Sequence, residues 1–360
     1  MKVVLSGGGT GGHVFPLIAL ANTLKSMNIP GISIVYLGQS NSLEEKEASR
    51  NNLKFVRLLR QSNRRDPVGL IVSLFLAFLA CIQSMFFLLS FKPDVVIGGG
   101  GYVSFPAILA ARILRIPYVL LEQNMVPGKI TRFFSRHAEM TFLSFPGSER
   151  FVRGKKMVVG NPLRREFIVS RKEAREALNI PEQTFLIVIA GGSKGARSLN
   201  RSLLETIPAL FLSHPNLMVF WITGEADFEE VKGKISPELE GLVVKAFDSQ
   251  LPLWISACDL YVGRAGAGLL WEVLSSGTPS ILVPYPFSAD DHQQANAKFL
   301  EACGASVVVS GDNVKTLKEK IDELISSPEK LKNMRECALN VPGKDANQKI
   351  SSFLLEKWGK

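Results

Sequence analysis

The pattern of apolar and polar positions predicts repeated units of strand, glycine-rich turn and helix. Short apolar runs typical of buried strands begin near residues 2, 32, 94, 116, 185 and 259. Several are followed by glycines and then by apolar residues at helical spacing, as in LIALANTLKSM after Pro16. Strands that alternate with helices indicate an α/β protein with parallel sheets.

One such unit occurs in each half of the chain. Residues 94–123 and 259–286 share the order strand, glycine loop, helix, proline, strand. Two similar units in 360 residues predict two doubly wound, Rossmann-like domains that face each other across a cleft. A Gly-Asn-Pro turn followed by the charged segment SRKEAREALNI places the boundary near Pro162. We expect domains at 1–163 and 164–342, and a final helix at 343–360 after the Pro342-Gly343 break.

The first glycine loop, GGGTGGHVFP at residues 7–16, predicts an anion site, because helix N-termini present amide groups and a positive dipole end. Gly7, Gly9 and Gly12 also satisfy G-x-G-x-x-G, but the second strand ends in Leu-Gly-Gln without the acid that grips a nicotinamide ribose. The chain has no P-loop motif. His13 stands at the mouth of the predicted site and is a candidate base. The alternative is a purely structural turn.

Residues 67–91 form an uncharged stretch, PVGLIVSLFLAFLACIQSMFFLLSF. As a helix it is long enough to cross a bilayer. A core helix and a helix lying in the membrane surface are the alternatives. A single span would place the two glycine loops on opposite sides of the membrane, which disfavours the span if their strands share one sheet. The basic residues that flank the stretch favour the interfacial helix over the core helix.

Charge and cysteine content narrow the classes of partner. Lys and Arg outnumber Asp and Glu by 42 to 33, which favours a membrane surface or phosphorylated substrates; nucleic acid is disfavoured because its recognition motifs are missing from the sequence. The four scattered cysteines indicate a reduced, cytosolic protein. The segment before the first glycines is too short for a signal peptide.

Polar residues at predicted strand and helix ends are further candidates. Glu122, Gln123 and Asn124 end a buried strand, where α/β sheets bind ligands, although ordinary solvation explains them equally well. Glu272, one turn into a helix, suits a ribose diol or merely the helix dipole. Gln293 and Gln294 suit sugar hydroxyls. The adjacent acids at 290–291 are weak evidence for a metal site and are more typical of a helix N-terminus.

The motifs GGGTGGHVFP, GGGGYVSFP, LLEQN, GNPLR, GGSKGAR, GAGLLWE and DDHQQ, in this order, resemble the MurG family of glycosyltransferases. The resemblance implies a GT-B fold whose C-terminal helix packs back on the N-terminal domain. It also implies inverting, metal-independent transfer of N-acetylglucosamine from UDP-GlcNAc to the undecaprenyl-diphosphate-linked muramyl-pentapeptide (lipid I), giving lipid II for peptidoglycan. We then expect a peripheral protein on the cytoplasmic face of the cell membrane, beside other cell-wall synthesis proteins, with no cofactor.

The same resemblance implies residue roles. The lipid-linked diphosphate would bind Gly98, Gly99, Gly100, Gly101 and Tyr102. The donor UDP-GlcNAc would contact Thr10, Gly11, Gly12, Asn124, Arg164, Ser193, Asp248, Ala267, Gly268, Leu269, Leu270, Trp271, Glu272, Gln293 and Gln294. Of these, Arg164 and Ser193 would hold the diphosphate, Glu272 the ribose and the two glutamines the sugar, while Asp248 would lie near uracil through its backbone.

Some positions differ from the family pattern, and some alternatives stay open. Lys194, Leu121 and Asp248 replace the Gln, His and apolar residue that we expect, and a longer loop before Gln293 could shift the glutamine assignments by one. His13 is either the base or only positions the acceptor diphosphate, in which case Glu122 is the base. A UDP-GlcNAc 2-epimerase and a membrane-surface scaffold without turnover are the competing functions.

Overall fold

The computed structural model describes residues 1–59, 67–164, 169–191, 196–235, 239–310 and 313–359, without the side chains of residues 67, 68 and 70. Two compact units divide the chain: the first contains Met1–Arg164 and Pro342–Lys360, and the second Arg165–Val341. Arg164 and Pro342 both belong to the first unit, although we expected them to be the first and last residues of the second domain.

The first unit is built on a seven-stranded sheet in the order β3-β2-β1-β4-β5-β6-β7, in which each neighbouring pair is parallel. Its strands are β1 (Lys2–Ser6), β2 (Ser33–Gln39), β3 (Lys54–Leu58), β4 (Val95–Gly98), β5 (Tyr118–Glu122), β6 (Met140–Leu143) and β7 (Lys156–Val158). The chain order reverses between β1 and β4, so the loops after these strands meet at the carboxyl edge, where doubly wound sheets bind ligands.

Helices cover both faces of this sheet. They are α1 (Gly11–Ser26), α2 (Leu43–Arg50), α3 (Pro67–Phe91), α4 (Phe105–Ile113), α5 (Lys129–Phe134) and, from the chain end, α14 (Ala346–Trp358). Apolar residues of α1 and α14 pack on one face, and those of α3 and α4 on the other. The α14 helix is held by Asn347, whose side chain accepts from Leu163 N at 2.8 Å and donates to Thr23 Oγ1 at 2.8 Å.

Helix α3 has the bounds that its uncharged sequence predicted, but only one of its faces is covered. Ala80, Cys81, Ser84 and Leu88 are buried at helical spacing, whereas Phe75, Phe78 and Phe86 are 60–70% exposed. From Ile71 to Phe91, α3 is long and apolar enough to cross a membrane, and only 22% of this apolar stretch is buried, unlike a core helix. Both of its ends lead into strands of the same parallel sheet.

The second unit repeats this topology with six parallel strands in the order β10-β9-β8-β11-β12-β13. They are β8 (Phe185–Ala190), β9 (Leu217–Ile222), β10 (Leu242–Lys245), β11 (Leu260–Gly263), β12 (Ser280–Leu282) and β13 (Ser306–Val308). Its helices are α6 (Arg171–Ala177), α7 (Arg197–Ser213), α8 (Phe228–Lys234), α9 (Leu251–Ala257), α10 (Ala267–Ser275), α11 (His292–Ala302), α12 (Val314–Ile325) and α13 (Pro328–Asn340). The predicted α/β class with two doubly wound sheets is confirmed.

Candidate active site

The first helix begins six residues before the apolar pattern that predicted it, so Gly11, Gly12 and His13 form its first turn. Thr10 is the N-cap, with extended backbone angles, and its side chain caps none of the first amide groups of the helix. Its hydroxyl instead lies 3.1 Å from Nδ1 of His13. The same nitrogen lies 3.1 Å from the carbonyl oxygen of Gly8.

The contact with Gly8 sets the tautomer of the imidazole. A carbonyl oxygen only accepts hydrogen bonds, so the 3.1 Å contact is a hydrogen bond when Nδ1 carries the proton. In the neutral ring Nε2 is then the basic nitrogen. The backbone of the glycine loop therefore prepares His13 to accept a proton at Nε2.

The second glycine loop, which follows β4, lies against the same imidazole. Gly100 and Gly101 have φ of +86° and +71°, a region that favours glycine. A Cβ on Gly101 would lie 2.2 Å from Gly8 O and 2.9 Å from His13 Nδ1. Gly8 N donates to Gly100 O at 3.4 Å, which links the two loops directly. The structure thus brings His13 together with both predicted loops.

The other residues of the second loop have different surroundings. Gly98 and Gly99 are buried, and a Cβ on them would lie 2.8 Å from Ile108 Cδ1 and 2.6 Å from Leu17 Cδ1, so close helix packing requires glycine at both positions. Tyr102 is 46% exposed, and its ring lies beside Gly9. The loop therefore combines two packing glycines with an open, ligand-accessible end.

Glu122, the alternative base, is a buried carboxylate that organises the loop after β5. Its Oε1 accepts from Asn124 N at 3.0 Å and Asn124 Nδ2 at 3.3 Å, and its Oε2 accepts from Gly128 N at 3.0 Å. Burial raises the pKa of Glu122, and these bonds together with one from Thr131 partly oppose the shift. The geometry gives Glu122 a structural role and fixes the side chain of Asn124.

A second buried carboxylate, that of Glu44, was not predicted as part of the site. It lies on α2 and reaches back to the first glycine loop. Gln39 N donates to its Oε1 at 3.3 Å, and a Cβ on Gly8 would lie 2.8 Å from its carboxyl carbon. The signal available in the sequence was an acid five residues after the end of β2, at the start of the next helix.

In the second unit, the predicted nucleotide segment forms the start of α10. Gly266 is the N-cap and provides no side chain, so the first amide groups of the helix have no side-chain cap. Glu272 is 7% exposed. It lies close enough to Tyr261 to add to the burial that raises the pKa of that phenol, and Tyr261 in turn donates to Ala190 O at 2.8 Å.

Two residues that sequence reasoning missed hold the loops around α10. The buried guanidinium of Arg264 donates to Val283 O at 2.9 Å and to Ser198 Oγ at 2.7 Å. Asn296 on α11 donates to Ala265 O at 3.1 Å. The sequence signal for this support was the arginine of the motif GRAGAG, which stands between a predicted strand and a predicted helix.

The remaining residues that were predicted to contact UDP-GlcNAc have different local contacts. Gln293 accepts from Tyr285 N at 3.0 Å, and Gln294 is half-buried on the same helix. The carboxylate of Asp248 accepts from Gln250 N at 2.7 Å and Lys245 Nζ at 2.5 Å. In the first unit, the guanidinium of Arg164 stacks 4.2 Å from the Phe15 ring centroid. Ser193 and Lys194 lie outside the described residues.

No cluster of three potential metal ligands was found among His, Cys, Asp and Glu of the described ranges. Asp291 is the N-cap residue of α11, with φ +50° and no side-chain cap bond. Cys81 and Cys258 are buried and Cys303 and Cys337 half-buried, all as free thiols.

Comparison with known proteins identifies the family. Residues 3–143 match the glycosyltransferase family 28 N-terminal domain, and residues 186–350 match the C-terminal domain of that family. The UDP-N-acetylglucosamine–N-acetylmuramyl-(pentapeptide) pyrophosphoryl-undecaprenol N-acetylglucosamine transferase of Natranaerobius thermophilus is 34% identical, over 98% of this chain and 99% of the relative. The crystal structure of Acinetobacter baumannii MurG superposes with a TM-score of 0.77 at 26% identity, covering 99% of both chains.

The fold alone is shared more widely. A UDP-GlcNAc 2-epimerase from Neisseria meningitidis has a TM-score of 0.73 at 17% identity, over 99% of this chain and 100% of the other. The family resemblance and the GT-B type of fold predicted from the sequence are confirmed. The chain is a glycosyltransferase that belongs to family 28 and, within it, to the family of the pyrophosphoryl-undecaprenol N-acetylglucosamine transferases.

Proposed function

We propose that this chain transfers N-acetylglucosamine from UDP-GlcNAc to undecaprenyl-diphospho-N-acetylmuramyl-pentapeptide, which forms lipid II, with inversion and without a metal ion. The observation that carries the proposal is the 34% identity, along 98% of the chain, to a relative named for that transfer. The described geometry supports it, because a histidine base lies between two glycine loops suited to phosphate.

The acceptor binds, on this proposal, to the first unit. The loop Gly98 to Tyr102 receives the lipid-linked diphosphate. His13 Nε2 removes the proton from the attacking hydroxyl, while Gly8 O holds the Nδ1 proton and stabilises the imidazolium that forms. If His13 only positions the diphosphate, Glu122 is the alternative base, although four hydrogen bonds already occupy its carboxylate.

The donor binds to the second unit, and the resemblance also assigns Thr10, Gly11, Gly12, Asn124 and Arg164 to donor binding. Glu272 accepts hydrogen bonds from the ribose, and residues 267–271 surround the nucleoside. Ser193 and Arg164 hold the diphosphate, Gln293 and Gln294 the sugar hydroxyls, and the Asp248 backbone contacts uracil. The hydroxyl oxygen then attacks the anomeric carbon as the bond to UDP breaks, and the α10 amide groups and cations stabilise the charge on the departing diphosphate.

Peripheral attachment to the cytoplasmic face of the membrane completes the proposal. The exposed phenylalanines of α3 present an apolar stripe, and both ends of α3 are tied to one sheet, which favours a helix in the membrane surface over a span. A groove of about 560 Å³ in the same unit is lined by Arg112, Arg132, Arg136 and Arg153, with Phe133 76% exposed beside them. These arginines suit anionic headgroups.

The test is incubation of the protein with labelled UDP-GlcNAc, with and without a lipid I analogue. We expect acceptor-dependent transfer in excess EDTA, a product with inverted anomeric configuration, and little transfer from other UDP-sugars. Conversion of UDP-GlcNAc without acceptor would identify an epimerase. Binding of both substrates without product would identify a scaffold.

A further inference from the structure

Gln123, one residue beyond β5, is a buried amide with a defined orientation. Its side chain is only 1% exposed. Nε2 donates to Leu121 O at 3.3 Å. Because that carbonyl cannot donate in return, rotating the amide by 180° would place two acceptor oxygens against each other. The orientation of the amide therefore determines where its oxygen lies.

The oxygen of this amide has no hydrogen-bond partner among the described residues. A Cβ on Gly100 would lie 3.5 Å from Gln123 Oε1 and 3.3 Å from His13 Nε2. Both atoms therefore lie within van der Waals contact distance of the position that a Cβ on residue 100 would take. An unpaired buried oxygen costs free energy, and native proteins tolerate it where a ligand supplies the missing donor.

We propose that Gln123 Oε1 accepts a hydrogen bond from an O–H or N–H group of the acceptor sugar, next to the hydroxyl that His13 deprotonates. The inference rests on the proposed function and extends it with a specificity residue. Gly100 lies in the loop to which the proposed function assigns the acceptor, so the acceptor is the substrate that supplies the missing hydrogen-bond donor. A neutral amide oxygen suits this position, because a carboxylate would repel the neighbouring diphosphate.

The test compares Gln123→Met, which keeps the length of the side chain and removes the oxygen, with Thr141→Val. Thr141 Oγ1 is also buried and unpartnered, but it lies on β6. Isothermal titration should show roughly fivefold weaker binding of a lipid I analogue to Gln123→Met, and an acceptor KM raised by the same factor. UDP-GlcNAc affinity should stay unchanged in both variants, and Thr141→Val should bind the acceptor normally.

Unchanged acceptor affinity in Gln123→Met would overturn the inference. So would a loss of kcat alone with an altered pH profile, since that result would assign the oxygen to the His13 imidazolium. If Gln123→Met does not fold, the wild type is titrated with analogues that lack single O–H or N–H groups, and equal affinity for all of them overturns the inference. Wild-type transfer in the same assay separates these results from a failure of the proposed function.

Discussion

The imidazole Nδ1 of His13 lies 3.1 Å from the carbonyl oxygen of Gly8, in the glycine loop that leads into its own helix. This relationship joins the fold to the chemistry. Position 8 requires glycine because a Cβ there would lie 2.8 Å from the carboxyl carbon of Glu44, and the Gly8 carbonyl then fixes the ring tautomer. We propose that this side chain, at the start of a helix, is a base held beside an anion site.

His13→Asn tests that role. The shorter amide keeps a donor near the position of Nδ1 but removes the basic Nε2, so we expect kcat to fall about 10²- to 10⁴-fold. The affinity for UDP-GlcNAc, measured by titration, should change little. Equal losses in turnover and in donor affinity would instead indicate a binding role for His13.

Gly101→Ala tests the contact between the two glycine loops. A Cβ at this position would lie 2.2 Å from Gly8 O and 2.9 Å from the imidazole, so we expect turnover to fall by at least about 100-fold, as for a misplaced catalytic group. Gly31→Ala is the matched control, because Gly31 also has a positive φ, +65°, and a Cβ there would meet nothing within 4 Å. Similar turnover in the two variants would show that only backbone strain matters.

The stability of the protein should depend on pH through Glu122. Burial raises the pKa of this carboxyl, so the folded state binds its proton more tightly than the unfolded state does. Its contribution to the free energy of unfolding is therefore full below the unfolded pKa and is lost as pH rises through the raised folded pKa. Urea titrations between pH 4 and the neutral range (about pH 7) should show a steeper decline for the wild type than for Glu122→Gln. Parallel profiles would contradict this account.

Glu272 should discriminate between ribose and deoxyribose. If its carboxylate accepts hydrogen bonds from the diol, Glu272→Ala should weaken UDP-GlcNAc binding about 10- to 150-fold. The 2′-deoxy analogue should bind the wild type less tightly than UDP-GlcNAc does, and the variant should lose most of that difference. A variant that keeps the full preference for ribose would place Glu272 outside the nucleoside site.

The exposed face of α3 should hold the protein on membranes. Phe75→Ser combined with Phe78→Ser should reduce sedimentation with vesicles of anionic phospholipid while leaving the free energy of unfolding almost unchanged, because both side chains are about 60% exposed. Leu212→Ser is the control, since Leu212 is 90% exposed but lies in the second unit. Equal vesicle binding by all three proteins would show that attachment does not involve this face.

The order of strands and helices could be predicted because apolar periodicity and glycine turns are local signals. The start of α1 could not, since Gly11 and Gly12 are poor helix formers and the apolar pattern begins only after Pro16. The contacts of Glu44, Arg264 and Asn296 were missed because they join residues that are distant in sequence or on different elements. His13 was recognised beforehand from its place in the motif, and its catalytic role stays a prediction.

A crystal structure with a lipid I analogue and UDP would test the central claim most directly. The account predicts that the acceptor hydroxyl oxygen lies about 2.6–3.2 Å from His13 Nε2, the range needed for proton transfer. The acceptor diphosphate should contact the loop Gly98 to Tyr102. An acceptor hydroxyl beyond the reach of His13 and next to Glu122, or a diphosphate bound elsewhere, would contradict the account.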